Sequence, residues 1–388
     1  MKVTMLHVFM LAFALLPGSP SFAQKKDCKS LTHGADIYKH FTGTIGKRKV
    51  AMDLRFGFCG GSNYGGSYLY DLAGHDAKTL IIGEPAKFEY DATLTASEYF
   101  IGDNWMDAEQ DGGSQPATWV FTIKDGHLAG KWQSGDKKQT LDINLVEEYK
   151  NAVPLEIFAY RDSTKKYLGY QRLSAVYRFI GVKPSSLVSG SDAEFINGQL
   201  LEMTVGKKGG AMTFSDMPLV ESRKCFDDFN VDCQRLVSDT PVSDQPALGG
   251  HNYYSMLFPI YNGDGFLVME CESFSTGSIK GMTSRNVYSC IDVARKKVWH
   301  LNDVVADISK LTELLRDLYR SSVKQGAREV LPADKITPVE SMIVTRNGLV
   351  FCYPSADDMR ITRETRVFVP YEKLSKVLTA DFKLRMSM

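Results

Sequence analysis

The chain lacks net charge: 46 Lys+Arg balance 46 Asp+Glu over 388 residues. A nucleic-acid binder needs a basic excess to neutralise phosphates, so that class is excluded. No low-complexity tract and no internal repeat occurs, and Gly (32) and Pro (14) stay at average levels. With 44% hydrophobic and 24% charged residues, a disordered or fibrous chain is excluded too. There is no C-x-x-C, which leaves a zinc knuckle or a thioredoxin-type site without support. There is also no H-E-x-x-H, G-x-S-x-G, Walker-type loop or G-x-G-x-x-G. S-x-x-K occurs at Ser134–Lys137, Ser163–Lys166 and Ser321–Lys324, twice in polar loop-like stretches and once at a helix end, as chance placement gives. No cofactor is expected. The length suits two or three domains with real cores.

What is present begins with an address. Lys2 precedes an apolar run from Met5 to Leu16 broken only by His7, and Pro17-Gly18-Ser19-Pro20 ends it. Ser21-Phe22-Ala23 then places small residues where a signal peptidase accepts them. Residues 1–23 are expected to be a signal peptide cut at Ala23/Gln24, sending the mature chain to the periplasm or the exterior. The run is shorter than a bilayer span of about 20 residues, and no later segment is long enough. Cys28 lies too far downstream for a lipoprotein.

Export permits disulfides, and all seven cysteines survive cleavage. Cys225 with Cys233, Cys271 with Cys290, and Cys28 with Cys59 are the expected pairs. Cys352, inside the apolar run Leu349–Tyr353, is expected to be a buried free thiol.

From Phe41 to about Val146 the hydrophobic period is two, as in Val50/Met52/Leu54, Trp119/Phe121/Ile123 and Leu141/Ile143/Leu145. Asp125-Gly126 between two such runs predicts a hairpin. Residues 24–182 are expected to form an antiparallel all-β sandwich or barrel; the runs Leu155–Tyr160 and Ser174–Val182 either extend it or bridge onward. A Ser/Pro/Gly-rich linker is placed at 183–198, followed by strands near 199–206 and 210–215 and a Cys-containing helical segment near 217–237. Residues 199–388 are expected to be α+β, with a small leading subdomain to about 249. Its main amphipathic helix is capped by Asn302 or Asp303 and carries Val305, Ile308, Leu311, Leu315 and Leu318 on one stripe, packed on antiparallel strands.

Candidate chemistry is sparse. Asp107-x-Glu109-x-Asp111-Gly112 opens like a calcium loop but has Thr118 where a bidentate glutamate should close the shell. It is a weak metal candidate beside the plainer reading of a solvated acidic hairpin. Six mature histidines are scattered, with none at ligand spacing; His300 is expected to be structural. Asp292 and Asp303 form a carboxylate pair only if strand and helix ends meet, and Asp303 is simpler as a cap. Tyr64, Tyr68, Tyr70, Trp105, Trp119 and Trp132 cluster near turns of the β-domain. Displayed, they suit sugar rings or a protein partner; buried, they fill a core.

The last third carries a resemblance. Ser289-Cys290-Ile291-Asp292-Val293, then Lys297-Val298-Trp299-His300-Leu301-Asn302-Asp303, then a helix, and finally Gly348–Pro354 and Val367-Phe368-Val369-Pro370-Tyr371-Glu372-Lys373-Leu374, resemble the RsiV C-terminal-like domain family over about 250–378. Asp192–Gly198 is similar, more faintly, to the small domain that often precedes it. The resemblance implies an extracytoplasmic domain without chemistry of its own. Relatives occur in a membrane-bound anti-sigma factor that senses lysozyme by binding it, and as non-catalytic modules beside peptidoglycan deacetylases. This chain departs from the pattern in Phe274–Gly281 and has no transmembrane or sigma-binding segment. The expectation is a non-enzymatic envelope module for a lysozyme-like protein or a peptidoglycan-like glycan. The alternatives are a polysaccharide hydrolase using two carboxylates and a structural envelope protein.

Overall fold

The computed structural model describes residues 37–56, 66–70, 78–82, 93–100, 116–168, 171–206, 212–239, 250–277, 281–324, 331–345, 347–353 and 365–388. The architecture is α+β and rich in strand. The signal-peptide segment, Cys28, Cys59, Tyr64, Trp105 and the acidic run Asp107–Asp111 lie outside the described residues.

Eight strands close a barrel in sequence order. They are β1 (Ile37–Ile45), β2 (Arg48–Phe56), β3 (Gly66–Tyr70), β4 (Lys78–Ile82), β5 (Leu94–Phe100), β6 (Thr118–Lys124), β7 (His127–Gln133) and β8 (Thr140–Glu147). The period of two sends Phe41, Ile45, Val50, Met52, Leu54, Trp119, Phe121, Ile143 and Leu145 inward to one core. Asp125 and Gly126 both take positive φ, 50° and 74°, the backbone that a two-residue hairpin matching strand twist requires. Closure brings β8 against β1 at Gly43, where a Cβ would stand 2.2 Å from the Asn144 carbonyl oxygen; only glycine fits.

Strands β9 (Leu155–Leu168) and β10 (Gln171–Pro184) do not extend the barrel. They join β11 (His251–Gly263), β12 (Phe266–Gly277), β13 (Gly281–Asp292) and β14 (Lys297–Val298) in a sheet of order β14-β13-β12-β11-β10-β9. Its one parallel pair is β10 with β11. The expected boundary at 182 therefore moves to the segment after β8. Alternation marks a strand but not its partner, and β10 spends its second edge on β11, far along the chain.

Residues 183–198 are not a linker, and 199–206 is not a strand. Helix α1 (Gly190–Val205) starts where the Ser189 side chain accepts from the Asp192 amide, and it buries Ile196, Leu200 and Met203 at helical spacing. Helix α2 (Met217–Asp239) follows, the helical segment expected near 217–237. Both cover one face of the sheet, in a core with Phe179, Leu257, Leu267, Met269 and Cys271. With the amphipathic helix of the C-terminal half, the described residues hold three long helices, of which only the one at Gly190–Val205 lies where none was expected.

The opposite face carries Phe266, Val268, Tyr288 and Cys290. It is covered by a three-stranded sheet, β15 (Met342–Val344), β16 (Gly348–Tyr353) and β17 (Thr365–Pro370), with short helices α3 (Leu301–Val304), α5 (Tyr371–Leu374) and α6 (Ala380–Arg385). The amphipathic helix α4 (Ile308–Lys324) buries Leu311, Leu315 and Tyr319 there. It begins later than its stripe suggests, because the chain breaks after α3. Asp307 caps α4 by accepting from the Lys310 amide at 3.0 Å, while Asp303 caps α3 by accepting from the His300 amide at 3.1 Å. No helix among the described residues is long and apolar enough to cross a bilayer.

Cys225, Cys233, Cys271 and Cys290 form no disulfide. Cys225 and Cys233 share α2, and eight residues of helix separate them by about 12 Å, beyond the ~7 Å a disulfide bridges. Cys271 pairs in register with Val287, and Cys290 with Val268. An offset of three residues puts the two thiols on opposite faces, one in each core. Burial pushes Cys225 and Cys290 up to about 12 and Cys271 to about 11, which makes them poor nucleophiles. Cys352 is fully buried, as expected.

Candidate functional site

The outer face of the β1–β2 hairpin holds the alternate residues, Tyr38, His40, Thr42 and Thr44 on β1 and Lys49, Ala51, Asp53 and Arg55 on β2. His40 and Asp53 are register partners. Their pairing follows from the tight turn at Gly46 (φ 59°), and this face docks against β9 and β11 of the large sheet. Tyr38 is 5% exposed and belongs to the core under the helices, so the barrel contributes a side chain to its neighbour.

A hydrogen-bonded network crosses the junction. One Asp53 carboxylate oxygen accepts from the Tyr38 hydroxyl and stands 2.9 Å from His40 Nδ1. Asn262 Nδ2 donates to the Tyr38 oxygen and to the Val153 carbonyl, both at 2.9 Å, and its Oδ1 accepts from the Val153 amide at 2.8 Å. The Tyr149 hydroxyl accepts from the His40 amide at 3.4 Å and donates to Glu147 at 3.0 Å, and Glu147 in turn pairs with Lys39. His40, Asp53 and Asn262 are all buried. Burial, then the Asp53 charge, lifts the Tyr38 phenol well above its ordinary range; burial, then Glu147, does the same for Tyr149.

Beside this network opens a cleft of about 430 Å³. The barrel supplies His40, Thr42 and Lys49, and the connector after β8 supplies Glu148, Lys150 and Asn151. Tyr261, Asn262 and Asp264 come from the β11–β12 hairpin, and Thr345 and Asn347 from the turn before β16. Glu148 accepts from the Thr42 hydroxyl at 2.8 Å, and Asp264 accepts from Tyr261. The volume suits a small polar ligand, and the buried amide and imidazole are fixed before one arrives. Among the described residues no group of three or more His, Cys, Asp or Glu is placed to hold a metal ion.

Trp119, Trp132, Asp292, His300 and Asp303 do not line this cleft. Trp119 is fully buried in the barrel, edge-on to Phe121 at 6.4 Å, and its register partner Trp132 packs half-buried on the same core. Both are core residues rather than a displayed face. Tyr68 and Tyr70 lie on β3 opposite Met52 and Val50. His300 is exposed at the start of α3. Asp292 and Asp303 do not pair with each other: Asp292 binds Arg385 at 2.6 Å, and Asp303 binds Lys297 at 3.1 Å. His40 and Asp53 escaped attention because thirteen residues separate them. The signal was a turn at Gly46-Lys47 flanked by alternating strands, which puts residues equally far from the turn face to face.

Two other polar places are weaker. A hollow of about 560 Å³ beside β13 and β14 contains Lys297, which is already committed to Asp303, to Asp381 at 3.5 Å and to the Trp299 ring at 4.0 Å. On β12, Glu270 and Glu272 share a face. Glu270 accepts from Tyr288 at 2.6 Å and lies 3.6 Å from Arg366, tying the large sheet to β17. Burial, then the charge of Glu270, raises Glu272.

No protein-family model and no curated protein matches the sequence. Solved structures do. A member of the DUF3298 family from Bacteroides fragilis is similar with a TM-score of 0.50 at 14% identity, over 61% of this chain and 98% of that one. The likeness is one of fold. A DUF3298 family protein from Pseudomonas aeruginosa is similar at 13% identity and a TM-score of 0.41, over 60% of this chain and 97% of the other.

Proposed function

We infer that the chain is an exported, non-enzymatic module of the bacterial cell envelope that seats a peptidoglycan-type glycan in the cleft between barrel and sheet. The leader-like residues 1–23 and the RsiV C-terminal-like pattern over about 250–378 support the location. The observation that carries the reading is the cleft itself, whose floor of buried His40 and Asn262 is anchored by hydrogen bonds before any ligand binds. Hydroxyl, amide and carboxylate groups converging on one cleft suit a sugar, which needs many directional partners.

The mature protein is expected to co-sediment with insoluble peptidoglycan at micromolar concentration and to be released by soluble fragments. Retention on immobilised lysozyme alone would turn the reading to a protein partner, and retention on neither matrix would leave a structural envelope role. The hydrolase alternative rests on Glu270 and Glu272, about 6.7 Å apart along the strand by spacing, with Glu272 biased to its protonated form. It requires reducing ends to appear in the supernatant of the same assay, which the binding reading does not.

A further inference from the structure

We propose that the cleft is specific for a carboxylate-bearing sugar, whose carboxylate binds His40 as an imidazolium held from behind by Asp53. The proposal rests on the cleft being the ligand seat and adds the chemical class of the ligand and the residue that reads it.

Three observations lead there. First, His40 is 3% exposed yet lines the cleft. A carboxylate that already accepts from Tyr38 offers only lone pairs, so the His40 Nδ1 facing Asp53 carries a proton. Nε2 has no hydrogen-bond partner among the described residues, and it is the ring atom left for a ligand. Second, Lys49 and Lys150 at the cleft form no ion pair among the described residues, whereas the acidic groups of the wall already accept hydrogen bonds from Thr42 and Tyr261. Lys49 and Lys150 thus offer ammonium donors to an anionic ligand, beside the charged carboxylates Glu148 and Asp264. Third, an imidazole between Asp53 and an incoming carboxylate satisfies both only when both ring nitrogens donate.

The other charged or titratable groups around the ring are Tyr38 on β1, Lys49 on β2, Glu147, Glu148, Tyr149 and Lys150 at and after the end of β8, and Tyr261 and Asp264 on the β11–β12 hairpin. Burial and neighbouring carboxylates hold Tyr38 and Tyr149 as protonated phenols, so neither supplies a proton to the ligand.

The test is titration calorimetry on the full mature chain with two disaccharides that differ in a lactyl carboxylate, N-acetylglucosaminyl-N-acetylmuramic acid and di-N-acetylchitobiose. Measurement near neutral pH in two buffers of different ionisation enthalpy reads proton transfer directly. The muramyl disaccharide is expected to bind about tenfold tighter or more and to take up as much as about one proton, and His40→Gln is expected to abolish the uptake. Lys49→Ala, at an exposed site remote from the buried network, is expected to narrow the preference, and it keeps the proposal testable should His40→Gln fail to fold. Equal affinity for the two sugars, or a preference for the muramyl disaccharide that His40→Gln and Lys49→Ala both leave unchanged, overturns the carboxylate assignment and leaves the cleft as a neutral-sugar site. Binding of neither overturns the cleft reading and this proposal together.

Discussion

Asp292→Ala is expected to cost about 2–3 kcal/mol of stability, because it takes a fully buried carboxylate away from the part-buried Arg385 guanidinium and the buried Trp299 N–H. Asp292 is fully buried, and one of its oxygens accepts from Arg385 Nε at 2.6 Å and from Trp299 Nε1 at 3.2 Å. The other accepts from the Arg295 amide at 3.2 Å. Arg385 also reaches the Asp264 carbonyl at 2.8 Å and lies 4.1 Å over the Phe266 ring, so it fastens α6 to the large sheet. Truncating the aspartate strands Arg385 and the Trp299 N–H together. Arg385→Met alone is expected to be harmful as well, and the double variant less so than the sum, since two members of one network are removed. Urea unfolding of the three variants measures this. A loss below about 1 kcal/mol for Asp292→Ala would mean the pair is not desolvated as described.

Asp53→Ala is the second large effect, and it touches function as well as stability. Its carboxylate is the shared acceptor for Tyr38 and His40 on a surface closed off by the large sheet. Losing it leaves a buried imidazole N–H without an acceptor and the Tyr38 hydroxyl with only the Asn262 contact, a cost of about 2–3 kcal/mol. The ring of His40 also loses the bond that orients it, so binding of the muramyl disaccharide is expected to fall about tenfold or more. Asp53→Asn retains the shape and one acceptor, and it is expected to recover most of the stability but not the proton uptake. Thermal unfolding and calorimetry on the two variants separate the contributions. Wild-type affinity in Asp53→Ala would show that His40 needs no orienting partner.

The barrel was legible because its strands obey one rule: Val50/Met52/Leu54 and Trp119/Phe121/Ile123 alternate, and Asp125-Gly126 has few backbone options. The same rule says nothing about which edge a strand joins, so it leaves open whether Leu155–Tyr160 and Ser174–Val182 extend the barrel or bridge onward; they are β9 and β10 of the large sheet. It misled at Leu201, Met203 and Val205, which alternate like a strand although Ile196, Leu200 and Met203 are what α1 buries. Closeness in sequence suggested Cys225 with Cys233, where helix rise forbids a bridge. The site was least legible of all. Asn262 meets the Val153 backbone and the Tyr38 hydroxyl, contacts made across 109 and 224 residues that no local pattern encodes. Trp119 and Trp132 were conspicuous because cores need such residues; the cleft uses histidine, threonine, lysine and asparagine, which look like ordinary surface.

The central claim is that a saccharide occupies the junction cleft. Hydrogen–deuterium exchange of the mature chain with and without soluble peptidoglycan fragments tests it most directly. The account predicts protection confined to neighbourhoods that are remote in sequence: residues 40–44, 49–51, 148–151, 261–264, and Thr345 with Asn347. Protection centred on Glu270–Glu272 with those neighbourhoods unchanged, or no protection at saturating fragment, would contradict it.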